Sequence, residues 1–258
     1  MEYKILFIFI TILILVLMFN FFYFNSNENF DNDNNIIFLN QTQAYNFIKS
    51  DPDGYVSRFN NLDYIARNIS STKTYLDLWE NAVIIPNEEQ QKIIIKGINQ
   101  VNILIDKINV EWIDCDKLKN IPWKFIIINT NSIDLGLPHT RYDTIVINQS
   151  IINSSYNFID TLLHEKLHVY QKLYPKDFNI YLETNGFKPY IKYIDSNIPY
   201  RSNPDTDEWI YELNGEIYVS NYKYLNPQTI ADTFYKPVNS FDYEHPREKA
   251  VYDLLKTI

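Results

Sequence analysis

Apolar residues are distributed unevenly along the chain, and the first 24 positions form its most apolar segment. Residues 5–19 are apolar except for Thr11, and the apolar run continues after Asn20 to Phe24. An apolar segment of this length can cross the hydrocarbon core of a bilayer as a helix. Because no small-residue cleavage pattern follows it, residues 1–24 are predicted to be a retained transmembrane signal-anchor, in preference to the cleaved signal peptide of a secreted protein.

The polar residues on either side of this segment predict its orientation. Lys4 precedes it, whereas Glu28, Asp31 and Asp33 follow it. Positive charge favours the cytosolic side, so a single-pass membrane protein with a cytosolic N-terminus and an extracytosolic folded part is predicted. Residues 25–36 are rich in Asn and Asp and show no periodicity, which predicts a flexible stalk; residues 37–258 then form the folded domain.

Helical periodicity dominates the first part of the predicted domain. It predicts helices over residues 44–49, 72–82 and 88–108, and their apolar residues are expected to build a helical N-terminal layer of the fold.

Strand patterns follow these helices. Residues 123–129 and 144–148 are rich in β-branched and aromatic residues, which predicts two strands. Asn214-Gly215 between two further strand-like runs predicts a hairpin, which is expected to cover or border the functional cleft. Together the patterns predict an α+β fold with a small mixed or antiparallel sheet.

An amphipathic helix is predicted between the second of these strands and Pro175, which ends it. Its other side carries the pattern H-E-x-x-H, with His164, Glu165 and His168. On a helix this spacing places both imidazoles one turn apart, where they can bind one ion. The apolar side consists of Ile159, Leu163, Leu167, Tyr170 and Tyr174.

This donor pattern suits zinc, which accepts neutral imidazole nitrogen in a tetrahedral shell. A site with three protein ligands leaves a fourth position for water, and zinc makes that water acidic enough to ionise near neutral pH. A neighbouring carboxylate such as Glu165 can take the proton while the water attacks a carbonyl carbon. The pattern therefore indicates metal-assisted hydrolysis with Zn²⁺ as the cofactor.

Residues 159–170 resemble the active-site helix of zincin metallopeptidases. The resemblance implies that His164 and His168 are zinc ligands and that Glu165 is the general base. It also implies a sheet edge beside the cleft that pairs with an extended substrate, a role that the strand at residues 144–148 suits. Metzincins continue the motif with Gly and His where this chain has Gln171 and Tyr174, so that subclass is disfavoured.

A third ligand must come from another part of the chain, since two His alone hold catalytic zinc poorly. Glu248 is preferred, because Pro246 suits the first turn of a C-terminal helix and fixes the backbone that carries Glu248. This arrangement resembles the gluzincin branch of the zincins, in which a Glu on a later helix completes the shell. His245 is the main alternative, followed by Glu183 and Glu244.

Other side chains are candidates for supporting roles. Tyr252 lies one turn beyond Glu248 and either donates to the developing oxyanion or packs in the core. His139 and Arg141 precede the strand at residues 144–148 and either donate to the substrate or oxyanion or are solvated polar residues. Asp253 is a candidate to orient a ligand His.

Net charge and cysteine content exclude further classes of protein. A net charge of −9 disfavours electrostatic binding to nucleic acid, and a single cysteine excludes an internal disulfide framework. The sequence therefore predicts a membrane-anchored zinc metallopeptidase that cleaves a peptide or protein substrate outside the cytosol. The alternative is a catalytically inactive zincin-fold surface or envelope protein with a binding or structural role, and hydrolysis of another amide or ester by the same site stays open.

Overall fold

The structure is a computed structural model that describes residues 36–152, 157–236 and 243–258, and it confirms a mixed α+β fold. The predicted signal-anchor and most of the stalk lie outside the described residues. The first strand begins at Ile36, which the sequence analysis placed at the end of the stalk. Within the described ranges, no helix is long and apolar enough to cross a membrane.

The N-terminal helices begin where the sequence provides capping side chains. Asn40, Asn60, Ser71 and Asn87 each accept a backbone N–H from the first turn of the helix that follows, which satisfies donors that the helix itself cannot pair. The five helices of this region are α1 (Gln41–Ser50), α2 (Asn61–Ala66), α3 (Thr72–Trp79), α4 (Glu88–Ile105) and α5 (Cys115–Asn120).

A five-stranded sheet is built around one central strand. The strands are β1 (Ile36–Phe38), β2 (Val83–Ile84), β3 (Trp123–Ile128), β4 (His139–Arg141) and β5 (Thr144–Asn148). β3 pairs in parallel with β1 and β5 and antiparallel with β2. β4 pairs antiparallel with β5 and forms an edge of the sheet.

Alternating side chains of β3 separate two parts of the core. Phe125 and Ile127 pack with α4 on one face of the sheet, whereas Ile126 and Ile128 pack with α1 and α3 on the other. This alternation follows from the two-residue period of a strand. The N-terminal helices therefore cover both faces of the sheet instead of forming the single layer that was expected.

The C-terminal half contributes the remaining helices, α6 (Gln149–Ile152), α7 (Phe158–Leu173), α8 (Pro175–Asn185) and α9 (Pro246–Leu255). Pro175 ends α7 as predicted, and it also occupies the first turn of α8. α4 packs closely on α7 at Gly97, where an added Cβ would lie 2.7 Å from Leu162 Cδ1. This contact fixes the helix that carries the H-E-x-x-H motif against the core.

A second, antiparallel sheet contains the predicted hairpin. Its strands, in spatial order, are β6 (Lys188–Lys192), β7 (Trp209–Leu213), β8 (Glu216–Tyr222) and β9 (Thr233–Lys236). Asn214 and Gly215 connect β7 to β8 with φ values of 55° and 85°. Positive φ at both turn residues is the conformation that the Asn-Gly pair favours, so the hairpin prediction is confirmed.

Candidate functional site

Three donor atoms from α7 and α9 converge at one point. His164 Nε2 lies 3.0 Å from His168 Nε2, and Glu248 Oε2 lies 3.6 Å from the first nitrogen and 3.5 Å from the second. In the described part of the chain, this is the only group of at least three His, Cys, Asp or Glu side chains arranged closely enough to hold a metal ion. The structure thus brings together the two motif His and the preferred third residue.

The donor set fits zinc in chemistry and in spacing. Two imidazole nitrogens and one carboxylate oxygen are ligands that zinc accepts. Zinc ligand bonds of about 2.0 to 2.2 Å in a tetrahedral shell place neighbouring donors about 3.3 to 3.6 Å apart. The three observed separations, 3.0, 3.6 and 3.5 Å, lie around this range.

Gln171 fixes the imidazole of His168. Because the ring nitrogen Nδ1 lies 3.0 Å from Gln171 Oε1, which can only accept, Nδ1 carries the proton and Nε2 keeps its lone pair for a metal. The amide nitrogen of the same Gln171 donates to the backbone carbonyl of Arg247 in α9 at 3.1 Å. One side chain therefore orients a ligand and joins the two helices that form the site.

Asn203 holds the carboxylate of Glu248. Its Nδ2 donates to Glu248 Oε1 at 3.1 Å, which leaves Oε2 directed at the imidazoles. The backbone at this point is fixed by the start of α9, where Pro246 occupies the first turn and His245 Nδ1 accepts the Arg247 N–H. The position of Glu248 therefore depends on a helix terminus and on a loop that is distant in sequence.

The candidate ligands His164, His168 and Glu248 affect one another's charge states. Burial acts most strongly on His168 and disfavours its charged form, but Glu248 and the other acceptors outweigh burial and raise the pKa of His168. Burial likewise opposes ionisation of Glu248, but the two imidazoles outweigh it and hold the pKa of Glu248 well below its usual range. The carboxylate is therefore ionised at neutral pH, as a metal ligand must be.

Glu165 is buried beside these ligands. Its Oε2 accepts a hydrogen bond from Thr140 Oγ1 at 2.8 Å. Burial, followed by the negative charge of Asp205, raises the pKa of Glu165 to about 8. The side chain is thus held in place and is more basic than an ordinary glutamate.

The edge strand β4 is already occupied on its outer side. The Thr140 N–H donates to Asp205 Oδ1 at 2.7 Å, and the Thr140 carbonyl accepts a hydrogen bond from Lys172 Nζ. The same ammonium donates to the Pro204 carbonyl at 2.7 Å. The backbone of Thr140 is therefore not open to an extended substrate, contrary to the pairing that the resemblance implies.

A cavity of about 490 Å³ opens over the site. Its walls come from residues 137–139, from the first turns of α7, from the loop at residues 201–205 and from α9. Further walls are provided by Ile230, Tyr235, Tyr55, Arg67 and Asp134. The volume lies within the range of small-molecule and peptide side-chain sites.

His139 and Tyr252 both line this cavity. The ring of Tyr252 lies 5.4 Å from that of His164 and is 41% exposed. His139 is buried, and its Nδ1 lies 2.9 Å from the carbonyl of Leu137, so Nδ1 must be the donor. Burial is the main cause of a lowered pKa, so His139 is neutral and its Nε2 is an acceptor.

The other candidates lie outside the donor triangle, which is formed by His164 Nε2, His168 Nε2 and Glu248 Oε2. His245 Nε2 lies 3.2 Å from Asp207 Oδ1, and Glu183 is exposed on α8. Glu244 accepts hydrogen bonds from Arg201 and Asn203. None of these three belongs to the group that could hold a metal.

Two further candidates from the sequence, Arg141 and Asp253, do not have the contacts that were expected of them. Arg141 is fully buried and binds Asp53 and Asp51, so it does not face the substrate or an oxyanion. Asp253 accepts from Lys249 instead of orienting a ligand His. The β7–β8 hairpin contributes no lining residue to the cavity, and in the described part of the second sheet the wall comes from Tyr235 of β9.

Several residues of the site were missed by sequence reasoning. Gln171 follows His168 by three positions, and that helical spacing alone could have indicated it as the orienting partner. Asn203 and Asp205 belong to a segment whose turn residues predict only a loop, and Thr140 is part of no motif. Their contacts with Glu248 and Glu165 join distant parts of the chain, so no local pattern could have revealed them.

Comparisons with known proteins do not assign this chain to a family. Comparisons with protein-family models, with curated proteins and with solved structures gave no significant match. A functional assignment therefore depends on the donor triangle, on Glu165 and on the cavity around them.

Proposed function

We propose that this protein is a zinc-dependent peptidase of zincin type, similar to the gluzincin branch, and that residues 1–24 anchor it in a membrane with the enzyme outside the cytosol. His164, His168 and Glu248 would hold the metal, and Glu165 would act as the general base. The single observation that carries the proposal is the convergence of the three donor atoms within 3.6 Å of one another beside a buried carboxylate.

Glu165 would perform the proton transfers. When bound, zinc acidifies a water and polarises the carbonyl of the scissile bond. Because burial and Asp205 raise the pKa of Glu165, its carboxylate would hold a proton more tightly than an ordinary glutamate does, which suits a group that takes a proton from water and returns it to the leaving amine. Thr140 holds the carboxylate in one position, which limits the reorganisation needed during the reaction.

Tyr252 and His139 would contact the substrate in different ways. The phenol of Tyr252 can donate to the oxyanion of the tetrahedral intermediate, since its ring lies next to His164. His139 is neutral with its proton on Nδ1, so its Nε2 can only accept a hydrogen bond. We therefore assign His139 to binding a substrate N–H and not to stabilising the oxyanion.

A metal and cleavage assay with the full-length chain in mild detergent tests this proposal. The wild type should bind one zinc and cleave members of a diverse peptide library, lose activity with a chelator and regain it with added zinc. Glu165→Gln should keep zinc and lose cleavage by at least about 1,000-fold, within the range seen for loss of a general base or nucleophile. Glu183→Gln, the same change on the exposed face of α8, should remain active.

Two results would overturn the proposal. Activity retained in Glu165→Gln would exclude the role of this residue as the base. A wild type that binds zinc but cleaves no peptide would favour the alternative of an inactive zincin-fold binding or structural protein.

A further inference from the structure

Carboxylates dominate the cavity beyond the proposed catalytic groups. In addition to Glu165 and Glu248, its described walls contain Asp134, Asp160, Asp205 and Glu244, against two guanidinium groups. A divalent ion would offset Glu165 and Glu248, but the other four carboxylates would still outnumber the two cations. The cavity thus remains anionic after a metal is bound.

The two cations are already neutralised within the protein. Arg67 binds Asp63 at 2.9 Å and Asp134 at 2.8 Å. Arg201 binds Glu244 at 2.7 Å. A carboxylate therefore offsets the charge of each guanidinium, although Arg201 Nε has no hydrogen-bond partner among the described residues.

Two of the carboxylates are not paired with a guanidinium, although the Lys172 ammonium lies close enough to Asp205 to interact with its charge. In the described part of the chain, neither Asp160 nor Asp205 forms an ion pair with a basic side chain. Asp160 is exposed on the first turn of α7, one turn before His164. Asp205 is buried beside Glu165 and uses Oδ1 to accept the Thr140 N–H. Their charges therefore act on whatever occupies the cavity.

Buried acceptors without donors provide an independent indication of the ligand. His139 and Glu244 are each 2% exposed and line the cavity, yet His139 Nε2 and Glu244 Oε2 have no hydrogen-bond partner among the described residues. A buried acceptor without a donor is costly, so a donor from a bound molecule would be favourable. The unpartnered donor in the same wall, Arg201 Nε, belongs to a guanidinium whose charge Glu244 already offsets.

We propose that the cavity selects substrates that carry a protonated amine or a guanidinium group close to the bond that is cleaved. This inference rests on the proposed peptidase function and names its substrate class. The group would come from a Lys or Arg side chain or from a free amino terminus, since both present N–H donors and positive charge. Asp160 and Asp205 would attract it, and the unpartnered acceptors would receive its hydrogen bonds.

Peptide pairs that differ only in charge test this selection. The zinc-loaded full-length protein is given acetylated and amidated peptides with Lys, norleucine or Glu at each position flanking the cleaved bond. At one position kcat/KM should be at least about 10-fold higher for the Lys peptide than for the norleucine peptide, and it should be lowest for the Glu peptide. The preference for Lys should become smaller as the salt concentration rises. A second set with free amino termini, compared with its acetylated form, shows whether the terminal amine is the preferred source of charge.

Substitution of single carboxylates tests which residue causes the preference for Lys peptides. Asp160→Asn should reduce the Lys preference about threefold or more, because it removes one negative charge at the cavity mouth. Asp195→Asn makes the same change at an exposed position outside the cavity and should leave the preference unchanged. Binding of the Lys and norleucine peptides to Glu165→Gln, measured by fluorescence anisotropy, gives a readout that does not require turnover.

The outcomes separate this inference from the proposed function. Cleavage of all peptides at similar rates, with equal binding, would overturn the charge selection and leave the peptidase intact. Absence of cleavage together with tighter binding of Lys peptides would overturn the peptidase function and support the charge selection. Absence of both would overturn both.

Discussion

Helix α7 supplies His164, Glu165 and His168 from little more than one turn, whereas Glu248 and the residue that holds it, Asn203, come from a second helix and a loop. The helix half of the site needs only the local backbone to bring its imidazoles together. The distant half needs the whole fold to be correct. Variants of each half, alone and combined, can therefore test whether the two halves are positioned independently.

The largest effect is expected in the helix half. His168→Ala removes a proposed ligand and should weaken zinc binding by more than about 100-fold, the upper end of the cost of losing an outer-shell partner. His245→Asn is the matched control, because both His are fully buried but His245 contacts Asp207, and Asn keeps a side-chain acceptor at the start of α9. It should keep zinc within a few-fold and cost about 1 kcal/mol of stability from the lost hydrogen bond to Asp207. Equal zinc loss in both variants, measured by chelator competition, would contradict the assigned ligand set.

A smaller effect is expected from the residues that hold the ligands. Gln171→Ala in the helix half and Asn203→Ala in the distant half should each weaken zinc binding about 10-fold, since each orients one ligand. If the two halves are positioned independently, the double variant should be about 100-fold weaker. A double variant no weaker than either single variant would show that one connection positions both ligands.

The smallest effect on zinc binding is expected around β4, which contacts both halves and where a charge change acts on stability instead. Burial acts most strongly on Asp53 and favours its neutral form, but Arg141 and Lys172 outweigh it and hold the pKa of Asp53 well below its usual range. A depressed carboxyl pKa adds stability that is present above the unfolded pKa of about 3.9 and is lost as pH falls below it. Asp53→Asn should cost about 2 kcal/mol at pH 7 and flatten the loss of stability below about pH 4.

Urea unfolding between pH 2.5 and 7 measures this effect, with Asp116→Asn on the exposed face of α5 as the control. An acid branch unchanged in Asp53→Asn would show that other carboxyl groups determine the acid sensitivity.

Local patterns predicted much of the fold. The amphipathic helix predicted to end at Pro175 is Phe158–Leu173, and the predicted strand at residues 144–148 is Thr144–Asn148. These elements have strong periodicity and clear ends, and Asn214-Gly215 specifies its own turn. The short strands β1 and β2 were not predicted, because three and two residues carry no period and gain their structure by pairing with β3.

The site was predictable to the extent that a helix determines it. His164, Glu165 and His168 follow from the motif spacing, whereas Glu248 was preferred over His245, Glu183 and Glu244 because Pro246 indicates the start of its helix. The hairpin was recognised but assigned to the wrong place, since turn chemistry carries no information about which surface a hairpin packs on. Contacts such as that of Asp205 with the backbone of Thr140 form only when the chain is folded.

Lys172 connects the outer edge of β4 to the loop that carries Pro204. It thereby occupies the backbone carbonyl with which an extended ligand would pair at the entrance of the cavity. A ligand cannot lengthen the sheet at Thr140. Strand-mimicking inhibitors should therefore gain little here. Under the proposed function and charge selection, short compounds that combine a zinc-chelating group with a basic tail are the better starting point for a selective ligand.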